Sequence, residues 1–438
     1  MLPNLGDHAE ILKAVSSTAN LKRAFVYALY HRQRSDFFYD PFELDFVRQN
    51  ENEILSDLQA ELSSATHFQT RPAFAYFTPK NDKCFRRMIY LPFKDLVARY
   101  AFISVIGDCT NAGLYPHSFA NRRATGSEAV SMLLEPFATT AWPAFCAWQR
   151  EQLNSYNVLL KTDISAFYDS ISHEYLIKAI ASTLGLPADA PLLQRLLLLF
   201  STDVISYSKD STRATLAEEL RQGLCIGNAG DGYLANLYLN DTDTIMQRYC
   251  SAKGLVYGRY NDDIRIFAND KRTAKDACLL LQQCLLAKGL NLNSSKTELK
   301  QGRKDIEDLI SRSDPSLDYL DAEDYDEAYD DETKSSHLHA VIDKPFDFDD
   351  GCSVVLPLKG EAEAKKFCKI VHNRMHLSDR LPAHVAEIGR ILVDYPSSTR
   401  YACWLLVQSA GELKCDTGAR QEAASEILSS LENPDVST

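Results

Sequence analysis

Three aspartates have the types and spacing that could do chemistry. Asp163 closes an apolar run, Y-N-V-L-L-K-T-D at 156–163, and Asp262 and Asp263 sit together inside L-V-Y-G-R-Y-N-D-D-I-R-I-F-A at 255–268. One carboxylate at a strand end and two on the turn of a hairpin can converge on divalent cations. Magnesium takes hard oxygen ligands and keeps positions open for phosphate oxygens. Two such ions, about 3.5–4 Å apart, activate a hydroxyl nucleophile and stabilise a departing pyrophosphate. Carboxylates suit this better than His or Cys, because the metal is hard and the substrate brings its own phosphates. A D-D pair alone is common in surface turns, so the information lies in the ordered set.

These acids need a sheet beneath them and helices behind it. The pattern predicts a strand at 156–163 and a helix after Ser172, an N-cap residue, running to about 182. An apolar helix follows at 190–202 and another at 230–250. Residues 255–268 read as two strands around a tight Asn-Asp turn. An amphipathic helix covers 272–288, with a short strand at 290–292 or 297–300. Upstream, helices are expected at 8–34, 44–64, 95–106 and 127–153, and extended chain at 72–77 and 85–91. The acidic stretch 303–350 has little apolar periodicity and reads as loop, whereas 361–432 is helical in pattern. The expected division is 1–155, 156–302, 303–360 and 361–438.

At 438 residues the chain exceeds one ordinary core, and 45% hydrophobic with 24% charged residues describes a soluble globular protein. A net charge of −13 looks wrong for a phosphate-binding surface. The charge is unevenly spread. Residues 303–350 hold 17 acidic and 5 basic residues, so the rest is near neutral, and 71–123 carry 9 Lys/Arg against 3 Asp. The eleven cysteines form no C-x-x-C, which argues against zinc and for free thiols in a reducing cytoplasm. No basic and apolar leader is read, and the longest apolar run, 192–200, is too short for a bilayer. A cytoplasmic protein with no membrane partner is expected.

In order along the chain, D-I-S-A-F-Y-D at 163–169, G-L-C-I-G-N-A-G-D-G-Y-L-A-N-L-Y-L-N at 223–240, Y-N-D-D at 260–263 and G-L-N-L-N-S-S-K-T at 289–297 resemble the palm motifs of reverse transcriptases. R-M-I-Y-L-P at 87–92 and Y-P-H-S-F-A-N-R at 115–122 resemble their finger motifs. The likeness covers about 20–300, nearest to the bacterial group II intron and retron relatives and, more narrowly, to stand-alone phage-defence reverse transcriptases. It implies an α+β right-hand polymerase: N-terminal helices and fingers at 1–155, a palm whose antiparallel sheet carries the Y-N-D-D hairpin at 156–302, an acidic connection at 303–360 and a helical thumb or appendage at 361–438. It implies RNA-directed DNA synthesis from deoxynucleotides with two Mg²⁺, Mn²⁺ as a substitute, with cDNA as product; such relatives copy a dedicated non-coding RNA, the template expected here, or extend without a template, or prime from a protein hydroxyl.

The same likeness assigns the residues. Asp163, Asp262 and Asp263 would hold the metals with the Ile164 carbonyl. Tyr168 would be the ring under the sugar that excludes a 2′-hydroxyl. Arg87, with Lys80 or Lys83, would grip the triphosphate. Lys296 would act as general acid toward pyrophosphate. Ile226-Gly227 would stand where many relatives have Gln-Gly, and Asp231 would replace the Ser that often follows. S-V-V-L-P-L-K-G at 353–360 is a primer-grip candidate. No retron V-T-G triplet, nuclease module or ribonuclease H acid set is found. An RNA-templated RNA polymerase and a catalytically silent RNA-binding scaffold stay open as alternatives, as does a homo-oligomer. Tyr168 argues against the first and the intact acids against the second.

Overall fold

The computed structural model describes residues 6–33, 41–63, 69–79, 85–126, 129, 132–136, 140–206, 216–219, 222–228 and 230–312. Lys80, Lys83, the acidic stretch beyond 312, the primer-grip candidate and the 361–432 helices lie outside them. The chain divides into two units. One comprises Met1–Tyr76 with Met88–Ser313, the other Phe77–Arg87 with Asp314–Thr438. The first is α+β.

It begins with α1 (His8–Val15), α2 (Thr18–Gln33), α3 (Pro41–Gln49) and α4 (Glu51–Ser63). The expected helix over 8–34 is thus two. Ser16 Oγ bonds the Leu12 carbonyl and Ser17 Oγ that of Ala14, and such back-bonding competes with the helix ladder. Strands β1 (Ala73–Pro79) and β2 (Phe85–Tyr90) lead to α5 (Phe93–Thr110), which packs against α2. Within the aromatic-rich stretch 127–153 predicted as helix, the described residues form α6 (Trp142–Gln152), which starts with Pro143 in its first turn. Proline suits that turn and no later one.

The central sheet is built from β3 (Val158–Asp163), β6 (Val256–Tyr260), β7 (Asp263–Ala268) and β8 (Glu298–Gln301), in the order β6-β7-β3-β8. All its pairings are antiparallel. Between β3 and β6 come α7 (Phe167–Ser170), α8 (His173–Leu184), α9 (Pro191–Phe200), β4 (Asp203–Ser206), β5 (Leu216–Glu219) and α10 (Asp231–Lys253). Strands β4 and β5 are too short to show a period. They extend a second sheet, β2-β1-β4-β5, in which β1 and β4 run parallel.

Residues alternate across the central sheet. Leu160, Tyr257, Ile264 and Ile266 join the main core, where α10 and α11 (Lys271–Leu286) lie against the strands. Leu159 and Phe267 face the other way, into a cluster with Trp142, Phe145 and Trp148 of α6 and Ile306, Leu309 and Ile310 of α12 (Arg303–Arg312). The loop expected from 303 therefore starts as a helix. Its three apolar residues stand at helical spacing, which the surrounding charge hides in a composition reading.

Candidate active site

The three aspartates meet at one end of the central sheet. Asp163 and Asp263 are register partners across β3 and β7. Tyr260 pairs with Asp263, so Asn261 and Asp262 are the two residues of the β6–β7 turn. Asn261 adopts φ 56°, a left-handed conformation that asparagine tolerates. The turn is tied to β3, since the Ile164 N–H donates to the Asp262 carbonyl at 3.2 Å. Both strand positions expected near 290–300 are used: Leu292 pairs with Ile164, and β8 pairs with β3. The Asn293 N–H donates to the Asp163 carbonyl at 2.7 Å. A short turn at Ser294–Lys296 then brings Lys296 Nζ to 3.2 Å from Asp163 Oδ2.

Asp163 is buried, Asp262 and Asp263 are half-buried. Burial, then the negative charges of Asp163 and Asp263, push the Asp262 carboxyl up to about 6; Lys296 offsets this only in part. Arg265, itself buried, reaches Asp263 Oδ1 at 3.5 Å and donates from Nε to Gln149 of α6. Crowded like charges with hard oxygens fit a divalent cation. Among the described residues no group of three or more His, Cys, Asp or Glu forms a ready-made metal cage. Magnesium needs none, because one or two carboxylates suffice when phosphates and water complete the shell.

Tyr168 follows β3 on a tight turn whose Ala166 has φ 46°. Its hydroxyl donates to Asn261 Oδ1 at 3.2 Å. Burial, then the charge of Asp262, holds that hydroxyl well above the usual phenol range. The Tyr168 carbonyl accepts from the Leu224 N–H at 2.8 Å, and Gly223 at φ 90° has the Tyr168 and Asp169 carbonyls 3.2 Å from where a Cβ would stand. Gly223 therefore braces the Tyr168 turn. The Ile226 carbonyl accepts from the Ile89 N–H, and Gly227, at φ 102°, faces the Met88 methyl.

Asp231, at the position read as replacing a serine, is held inside the protein. It is fully buried, accepts from Arg99 Nη1 at both carboxylate oxygens, at 2.8 and 2.7 Å, and accepts the Cys225 N–H at 2.9 Å. It anchors the start of α10 to α5. Arg87 is a half-buried residue of β2 and belongs to the second unit. Arg122, in the finger-like segment, spends its guanidinium on the carbonyls of Asn111, Tyr115 and Ser118.

Sequence reading missed Arg259, Asp243 and Asn236. Arg259 has no exposure and grips Asp243 with Nε and Nη2 at 2.8–3.1 Å. Its Nη1 donates to Asn236 Oδ1 at 2.8 Å and to the Asn261 carbonyl at 3.2 Å. Asn236 Nδ2 in turn donates to the carbonyl of Ala120 at 2.7 Å. The 117–119 backbone runs beside β6, with Arg259 N–H to the His117 carbonyl and Phe119 N–H to that of Arg259. The one local signal is an arginine inside an otherwise apolar strand.

Residues 109–321 match the family model for reverse transcriptase (RNA-dependent DNA polymerase). No curated protein matches the chain. Among solved structures it is similar to an apo telomerase from Candida Tropicalis truncated from its C-terminal domain, at 13% identity and a TM-score of 0.40 over 58% of this chain. The chain spans about half the length of that structure, 55%. Among the described residues no helix is long and apolar enough to cross a membrane. The family match shows that a reverse-transcriptase domain is present at 109–321.

Proposed function

We propose that this chain is an RNA-directed DNA polymerase that extends a 3′-hydroxyl with deoxynucleotides. The observation that carries the reading is the register of Asp163 opposite Asp263, with Asp262 on the turn beside them. In the reaction the 3′-hydroxyl gives up its proton to water, its oxygen bonds the α-phosphorus, the bond from that phosphorus to the α,β-bridging oxygen breaks, and pyrophosphate leaves. Asp163, Asp262, Asp263 and the Ile164 carbonyl would hold two Mg²⁺, or Mn²⁺. These ions, when bound, supply Lewis acidity for the attacking oxygen and the leaving group.

The chain's own residues orient and select. Tyr168, beside the turn, would set its ring against the sugar and leave no room for a 2′-hydroxyl. Lys296, about half exposed next to Asp163, keeps protons within reach of a departing pyrophosphate. Arg87, with Lys80 or Lys83, is proposed on its motif to hold the triphosphate, and Ile226-Gly227 to lie along the nascent pair. A dedicated non-coding RNA template, cDNA as product and a role in bacterial antiphage defence rest on the motif resemblance, a weaker support than the site.

The test is primer extension by the full chain on an RNA template with Mg²⁺. Deoxynucleotides should give DNA, ribonucleotides should give almost nothing, and a chelator should stop the reaction. Preferential ribonucleotide use would overturn the reading in favour of an RNA polymerase.

A further inference from the structure

Three polar side chains from three separate segments meet at the tip of the β6–β7 turn. The Tyr168 hydroxyl donates to Asn261 Oδ1 at 3.2 Å, and Asn121 Nδ2 lies 3.5 Å from both that hydroxyl and that oxygen. Asn121 and Asn261 both adopt left-handed backbone, at φ 54° and 56°. Neither is free to relax. The Asn121 amide packs on the bare backbone of Gly232, where an added Cβ would come within 2.3–2.6 Å of it. Asn236 Nδ2 holds the carbonyls of Ala120 and Asn121, at 2.7 and 3.3 Å. Arg259 Nη1 holds both Asn236 Oδ1 and the Asn261 carbonyl. Both asparagines therefore hang on one buried support.

A phenol ring tethered only through its own backbone can pivot. Here its far end is anchored to the turn that carries Asp262. The hydroxyl is thus committed to the protein, and the ring alone is offered to a ligand.

We propose that Asn121 is a positioning residue for sugar selection. By bridging Tyr168 and Asn261 it fixes the ring relative to the acids, so that rejection of a ribonucleoside triphosphate and alignment of a deoxynucleoside triphosphate are set together. This rests on the polymerase reading above.

A consequence separates the anchor from simple bulk. Tyr168→Phe keeps the ring and loses the tether, so it should weaken selection much as loss of the Asn121 amide does. Asn121→Gly removes that amide and accepts the positive φ without strain. With the full chain on one primer–template, kcat/KM is measured for a deoxynucleotide and its ribonucleotide. Each single variant should lower the deoxy-over-ribo ratio about tenfold, the loss expected for one buried polar contact. The double variant should lower it no further, because both changes break one unit.

An unchanged ratio in Asn121→Gly, with both nucleotides slowed alike, overturns the proposal and leaves a merely structural residue. Independent effects that multiply in the double variant overturn it too. A wild-type protein that selects deoxynucleotides while the variants behave so condemns the clamp alone. A wild-type protein that incorporates neither nucleotide removes the polymerase reading, and this inference with it.

Discussion

The molecule treats its acids in two opposite ways within one domain. Asp243 and Asp231 are buried beneath helices and strands, and each is matched by a guanidinium, Arg259 through Nε and Nη2 or Arg99 through Nη1, with further donors from Tyr257 and from the Cys225 N–H. Asp163, Asp262 and Asp263 stand at the open end of the sheet, close to one another. Lys296 and Arg265 answer two of them at the longer distances of 3.2 and 3.5 Å. Asp262 has no ion-pair partner among the described residues, and its carboxyl is pushed up by its acidic neighbours as well as by burial, whereas burial alone raises that of Asp231 against the pull of Arg99. Paired acids are structural fasteners. Crowded acids left short of counter-charge are what a cation-dependent site requires, and folding keeps them so at a cost in stability.

The comparison breaks first at the fasteners. Arg259→Ala strands the Asp243 carboxylate in the core and should cost about 3–5 kcal/mol of folding stability, read by urea unfolding. A loss under about 1 kcal/mol would mean that Asp243 finds water instead. Gly232→Ala sharpens the link between the two regions. The new methyl displaces the Asn121 amide, an overpacking cost of about 1–3 kcal/mol that better helix propensity offsets by about 1. Stability should fall little while nucleotide selection falls clearly, in thermal unfolding and primer extension on one preparation. Equal damage to both would place Gly232 among the fasteners.

The smallest expected effect concerns pH. Asp262 titrates near 6 in the folded chain against 3.8 ordinarily. Its folded form favours the proton, so its contribution to stability is complete below 3.8 and is lost as pH rises through about 6. Asparagine imitates the protonated acid. With metals chelated, Asp262→Asn should melt higher than the parent above pH 6, and the gap should close as pH falls. A gap that is constant with pH would contradict crowding at this carboxyl.

The acidic end of the sheet was the readable part of the sequence. The Asn-Asp turn, the strand ending at Asp163 and the Ser172 cap, whose hydroxyl accepts the Tyr175 N–H, are local patterns with local causes. The fasteners were not readable, because Arg99 and Asp231 are 132 residues apart and a buried arginine looks like a surface one until its partner is placed. Helix α12 was hidden by composition, its apolar stripe of Ile306, Leu309 and Ile310 lying among charges. Asn121 was covered by the finger-like motif at 115–122 but not singled out, since the role proposed for it depends on the bare Gly232 backbone across the site.

The central claim is that the crowded acids, and not the paired ones, run the reaction. It is tested most directly by Mg²⁺-dependent deoxynucleotide incorporation in the Asp262→Ala, Asp263→Ala double variant, with RNA binding and unfolding measured alongside. Incorporation should vanish while RNA binding and the folded state persist. Full incorporation by that variant would contradict the account.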